Sequence, residues 1–341
     1  MRSFFHFFAV ATALTACAFT ASPVASAQKP YKVLASWKVG GEGSWDYLLE
    51  DAPNHRLYVS HETKLEVIDT LNGAVVGSIG DFSRLHGVAF DPDGKTAYVS
   101  DGGANAVVVF DRTSLKKIAS IPVGQNPDGI IWEPSTKTLW TFNGKSSDAS
   151  VVDPATRTVI ATLPLGGKPE FPTVDGKGGL FVNMEESSTI LRIDPKEKKI
   201  TATWKLTGCE GPSGMAIDTA GRRLFSVCDK KMAVVNADTG KILASPMIGD
   251  GPDATAYDAK HNVIFASNGD GRLSIVDGKT YKVTNLPTKA GARTLAFDPN
   301  NGHVYLTYAV PGPPQAKSAT NPRGRAAALP GSFSVLVVGK E

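Results

Sequence analysis

Along most of the chain, short runs of β-branched and aromatic residues alternate with Gly, Pro, Asn and Asp, and the alternation itself repeats. From Asp46 the sequence reads DYLLEDAPNHRLYVS, from His86 HGVAFDPDGKTAYVS, from Asp128 DGIIWEPSTKTLWTF and from Glu170 EFPTVDGKGGLFVN. Matching segments begin at Ser213, Asp253 and Arg293, and successive starts lie 40 to 43 residues apart. Two apolar runs split by a turn predict a β-hairpin in each segment. A third run follows, as at 107–111, 149–153 and 273–277, and after another turn a fourth, as at 117–124, 159–166 and 241–249. Four strands at this period make one propeller blade, so the pattern predicts an all-β, seven-bladed β-propeller of four-stranded antiparallel blades.

The ends of the chain fit a closed ring. The seventh segment supplies a third strand at 333–339 and then the chain stops, while residues 31–40 match the fourth-strand pattern ahead of the first segment. An N-terminal strand that completes the last blade removes two open sheet edges. One propeller domain over 31–341 is therefore expected, because a single hairpin repeat cannot bury its own faces. The phrases YVS…LEVIDT, YVSDGGANAVVVFD and FASNGDGRLSIVD resemble the YVTN repeat, and the chain from 31 to 341 is similar to the YncE-like periplasmic propellers of bacteria. That resemblance implies the fold and an exported protein; it does not fix an activity, since propellers host many unrelated ones.

Composition narrows the rest. The net charge is only +3, which gives no strong electrostatic case for nucleic acid. Residues 1–27 have the layout of a secretory signal peptide: a basic start, an apolar run and small residues ending at Ala27. An alternative cut after residue 16, at the lipobox-like Leu14-Thr-Ala-Cys17, would leave a lipid-anchored Cys17. The expected location is periplasmic or secreted, with a membrane anchor only on that alternative, and the expected state is a monomer. Export permits disulfides, so Cys209 and Cys228 are expected to close a loop of about 20 residues, a constraint worth about 3 kcal/mol. The alternative, Cys228 with Met184 as soft copper ligands, lacks a neighbouring histidine.

In a propeller the first strand of each blade lines the central channel, which places the first residue of every segment at its mouth. Read round the ring these are Asp46, His86, Asp128, Glu170, Ser213, Asp253 and Arg293. A second ring, one place beyond each second strand, comprises His61, Asp101, Asn143, Met184, Cys228, Asn268 and Tyr308 and is expected to face the same opening. Turn chemistry alone would also put Asp before a strand, as in the twin phrases NPDGIIWEP and GPDATAYDA, but a purely structural position would repeat one residue type, and this one varies.

Close carboxylates raise one another's pKa unless a cation neutralises them, so Asp46, His61, His86, Asp128 and Glu170 are expected as ligands of a divalent metal: Ca²⁺ for the oxygens, or Zn²⁺ for His86 and His61 with Asp128. Arg293 faces them across the ring and is expected to meet a carboxylate or phosphate, with Asp253, Asn143 and Asn268 completing a ligand site. Residues 309–332 replace a short turn in the last blade and carry Lys317, Arg323 and Arg325, either as a lid or docking arm or as a plain insertion. His55, His261 and His303 fall on the opposite face. No nucleophile elbow, phosphate loop or haem motif is present. Two functions follow as expectations: an exported scaffold that binds a small anionic molecule or a protein partner at the channel mouth, or a metal-dependent hydrolase of the lactonase type with its metal there.

Overall fold

The computed structural model describes residues 1, 4–6, 29–316 and 326–340. Contacts divide the chain into two compact units, Met1–Pro30 and Tyr31–Glu341. Most of the first unit, including Cys17 and both expected cleavage sites, lies outside the described residues, as do Lys317, Arg323 and Arg325. No helix among the described residues is long and apolar enough to cross a membrane.

The second unit is a seven-bladed β-propeller, seven antiparallel sheets of four strands each. Blade one runs through Trp45–Asp51, Arg56–His61, Lys64–Asp69 and Val75–Ile79, and the next five blades repeat that order. The seventh takes Thr294–Phe297, Val304–Tyr308 and Ser334–Gly339 from the C-terminal end and Lys32–Lys38 from the N-terminal end. Trp37 packs on Tyr305 at 5.6 Å between ring centroids, and the Phe333 carbonyl accepts from the Val39 and Gly40 amides at 3.0 and 2.9 Å, so the closing strand is held by ring packing and hydrogen bonds alike.

The apolar core lies between blades. One layer joins Tyr58, Leu65 and Val67 of blade one to Val88, Val99 and Phe110 of blade two, and similar layers recur round the ring. The aspartates that end third strands are structural. Asp111 Oδ1 accepts from the Ser114 amide at 2.7 Å and Asp277 Oδ1 from the Thr280 amide at 2.7 Å, and these bonds hold both carboxyls below their ordinary pKa. Blade five departs from the sequence expectation: its fourth strand covers only Ile242–Ala244 rather than 241–249. Pro246 has no N–H to give the ladder, and pairing resumes only as a single bridge at Met247.

The first strands of five blades open with the same irregularity. Pro127 pairs with Asn143 and Ile130 with Thr141, so Asp128 and Gly129 together face Phe142 alone. The same two-against-one bulge encloses Asp46, His86, Glu170 and Asp253. A bulge bends the strand and re-aims its side chains, and here it turns each mouth residue inward. In blades five and seven the strands begin later, at Met215 and Thr294, so Ser213 and Arg293 enter from loops.

Candidate functional site

Four of the seven mouth residues are anchored from the preceding blade. Ser60 Oγ donates to the His86 carbonyl, Ser100 Oγ to the Asp128 carbonyl at 2.6 Å, Asn183 Nδ2 to the Ser213 carbonyl at 2.7 Å, and Ser267 Oγ to the Arg293 carbonyl. These donors are buried in the second strands, and they fix the backbone of the mouth residues whatever the side chain is. At these four places a buried Ser or Asn carries the scaffold and frees the ring position to vary. Gly129 is required for the same close approach: a Cβ there would stand 2.7 Å from the Glu170 carbonyl and 2.6 Å from Pro172 Cδ.

The mouth opens into a pit of about 730 Å³ lined by all seven first-ring residues. One step further along the strands, Tyr47 of blade one and Phe171 of blade four meet across the channel, with centroids 5.4 Å apart. Their ring position explains the contact, since each directly follows a bulged residue. Volume and an aromatic wall of this kind suit a small molecule or one inserted side chain.

On one arc Asp46, His86 and Asp128 converge, with one donor atom from each within 4.8 Å of the others. His86 Nδ1 lies 2.5 Å from Asp46 Oδ2 and 3.5 Å from Asp128 Oδ1. The imidazole is 3% exposed, and burial alone would lower its pKa; Asp128 and the hydrogen bond to Asp46 outweigh that and raise it. Burial pushes Asp128 up to about 6, against the opposing pull of His86, and Asp46 adds to the rise. Asp128 Oδ1 is buried without a hydrogen-bond partner. Glu170 is pushed up to about 8 by burial and by Asp128; Lys168 Nζ, 3.1 Å away, opposes this without cancelling it. Lys168 also pairs with Glu185. Burial and the surrounding carboxylates raise the Tyr47 phenol well above its ordinary value, so it stays protonated and donates toward Asp128.

The opposite arc is different. Asp253 Oδ2 meets Arg293 Nη1 at 2.5 Å, so the guanidinium expected to face an anionic ligand already has a carboxylate. Taken as a whole, the pit wall carries eight carboxylates, those of Asp46, Asp128, Glu170, Asp253 and of Glu185, Glu210, Asp229 and Asp250, against the three cations Arg84, Lys168 and Arg293. A protein of net charge +3 thus has an acidic mouth.

The second ring does not line the pit as expected. His61 is buried with its ring stacked on Phe333 at 4.1 Å, and burial lowers its pKa; it stands apart from the Asp46–His86–Asp128 group. Asn143 Nδ2 donates to Asp148 Oδ1 at 2.6 Å and to Ser150 Oγ at 3.0 Å, and Asn268 Nδ2 to the Arg272 carbonyl at 2.9 Å. Asp101 accepts from the Ser83 and Arg84 amides. The exit of a second strand has its own orphaned donors and acceptors, and these side chains satisfy them. Cys228 is joined to Cys209, with a Cα separation of 5.3 Å, and Met184 is core, so neither is a free soft ligand. In the long loop of the last blade, Gly312 N donates to Ala327 O at 2.7 Å and Leu329 N to Val310 O at 2.8 Å, which closes the stem; none of its described residues lines the pit.

Arg84 and Lys168, two places before His86 and Glu170, and Glu185 and Asp229, one place after Met184 and Cys228, were not singled out from the sequence. Their signal was a fixed offset from the two rings. Compared with protein-family models and with curated proteins, the chain matches none.

Proposed function

We propose that this chain is an exported propeller of the YVTN type that acts as a binding scaffold and takes a positively charged group into its channel mouth. The export part rests on the leader-like residues 1–27 and the family part on the repeat phrases; mass spectrometry of the mature N-terminus checks the first. The observation that carries the binding reading is the wall of the pit, where carboxylates outnumber basic side chains and Asp128 keeps a buried oxygen without a donor. Carboxylates gathered in this number, with Asp128 buried among them, are stabilised by an added cation, and Tyr47 and Phe171 offer ring faces to an ammonium or guanidinium. The ligand is a small organic cation or a Lys or Arg side chain of a protein partner. This departs from the small anion expected from Arg293, because Asp253 already neutralises that arginine.

Calorimetric titration with spermidine and with citrate tests the choice. Spermidine is expected to bind, more weakly as salt rises, and citrate to give no heat. Citrate binding that disappears in Arg293→Ala would overturn the cation reading and restore the anionic one. A second reading, a metal-dependent hydrolase of the lactonase type, is favoured by the three potential metal ligands on the pit wall. Lactone and ester turnover with and without a chelator decides it.

A further inference from the structure

The geometry points to Asp46, His86 and Asp128 as a binding site for a divalent transition metal of the Zn²⁺, Mn²⁺ or Co²⁺ class, held by His86 Nδ1 and one oxygen of each carboxylate. The inference rests on the reading of the pit as a cation site and names its strongest point.

Three observations carry it. The donors come from the bulges of three successive blades, and Ser60 and Ser100 hold the backbone of His86 and Asp128, so the site is built on strands. Their present separations, 2.5 Å from Nδ1 to Asp46 and 3.5 Å to Asp128, bracket the spacing of about 3.0–3.4 Å that donors adopt round an ion some 2.1 Å from each. Asp128 is nine-tenths buried, lines the pit and has an oxygen with no hydrogen-bond donor, while Asp46 and the imidazole share a single close contact.

The donor set selects the metal class. One imidazole and two carboxylates suit borderline cations, whereas Ca²⁺ seeks six to eight oxygens that this arc does not supply. On binding, the ion takes the place of the proton on Nδ1, which leaves for solvent, and the carboxylates remain charged. Nε2 then carries the remaining N–H. It is buried without a hydrogen-bond partner, 2.7 Å from the point where a Cβ on Gly102 would stand. A glycine at 102 leaves room for the ring edge there. Three protein ligands leave the remaining positions open to the pit.

The test uses the full mature protein after treatment with a chelator, titrated with Co²⁺ and followed by visible absorption and calorimetry. One equivalent is expected to bind with ligand-field bands and release of a proton. His86→Asn and Asp128→Asn are expected to weaken binding about 100-fold or more, with the fold checked by circular dichroism. His261→Asn, whose ring bonds Asp258 on the opposite face, is expected to bind like the parent. No saturable Co²⁺ binding, or binding equal in His86→Asn and the parent, overturns the site. Spermidine titrated into the same samples separates the two claims: spermidine binding without Co²⁺ binding removes the metal and keeps the acidic-mouth reading, and Co²⁺ binding without spermidine does the reverse.

Discussion

Pro127-Asp128 and Pro252-Asp253 are the same device used twice. Each proline pairs with an asparagine at the exit of the second strand, and each aspartate occupies the bulge that follows. Yet Asp253 faces Arg293 of the next blade, whereas Asp128 sits between His86 of the preceding blade and Glu170 of the following one. One carboxylate is neutralised within the protein and the other is pushed up to about 6 with an oxygen left over. The backbone sets where a side chain points; its neighbours round the ring set what it can do. Because each neighbour belongs to a different blade, the chemistry of the mouth is a property of the closed ring and of no single repeat.

The largest expected effect probes how closely blades approach beside the two aspartates. Gly129 follows Asp128 and Ala254 follows Asp253. In Gly129→Ala the new Cβ meets the Glu170 carbonyl and Pro172, so denaturant unfolding should show a loss of about 1–3 kcal/mol. Ala254→Gly should lose about 1 kcal/mol or less. Equal losses would break the contrast between the two arcs.

Next comes pH. The folded-state pKa of Glu170 is raised, so over the window from about 4.5 to about 8 the unfolded chain has released a proton that the folded protein still holds. Stability therefore falls as pH rises through that window, and Asp128 adds to the fall up to about pH 6. Glu170→Gln removes the larger contribution. Its melting temperature should decline less than the parent's between pH 5 and about 8; parallel profiles would contradict the assignment. The smallest effect belongs to the far arc. Arg293 and Asp253 keep 29% and 24% of their side chains exposed, and Arg293→Ala should cost about 1 kcal/mol or less in unfolding experiments.

The period of the repeat made the fold legible, because a forty-residue unit with four apolar runs leaves few alternatives, and the closing strand could be found by its match to the fourth-strand pattern. The first ring was legible for the same reason. The bulge was not: nothing in the residues around Asp46 or Asp128 distinguishes a paired strand start from one with an extra residue, and the bulge is what aims these side chains. His61 misled because its position matched the ring pattern while its environment came from Phe333, 272 residues further along the chain. Lys168 and Arg84 carried a usable signal in their common offset, but the balance of charge in the pit depends on which of many surface ions face inward. That is fixed by closure and cannot be read from total charge. For the same reason Arg293 pointed to an anionic ligand, since its pairing with Asp253 joins neighbouring blades.

The central claim is that the mouth recognises positive charge through the Asp128 arc. Calorimetric titration of spermidine into the parent, Asp128→Asn and Asp253→Asn at physiological salt tests it directly, because the two variants remove the same charge from equivalent bulges of two blades. Asp128→Asn is expected to weaken binding about tenfold or more, a change of about 1.4 kcal/mol, and Asp253→Asn less than about threefold, since its arc is already paired and charges across the pit are screened. Equal weakening in the two variants, or spermidine binding untouched by Asp128→Asn, would contradict the account.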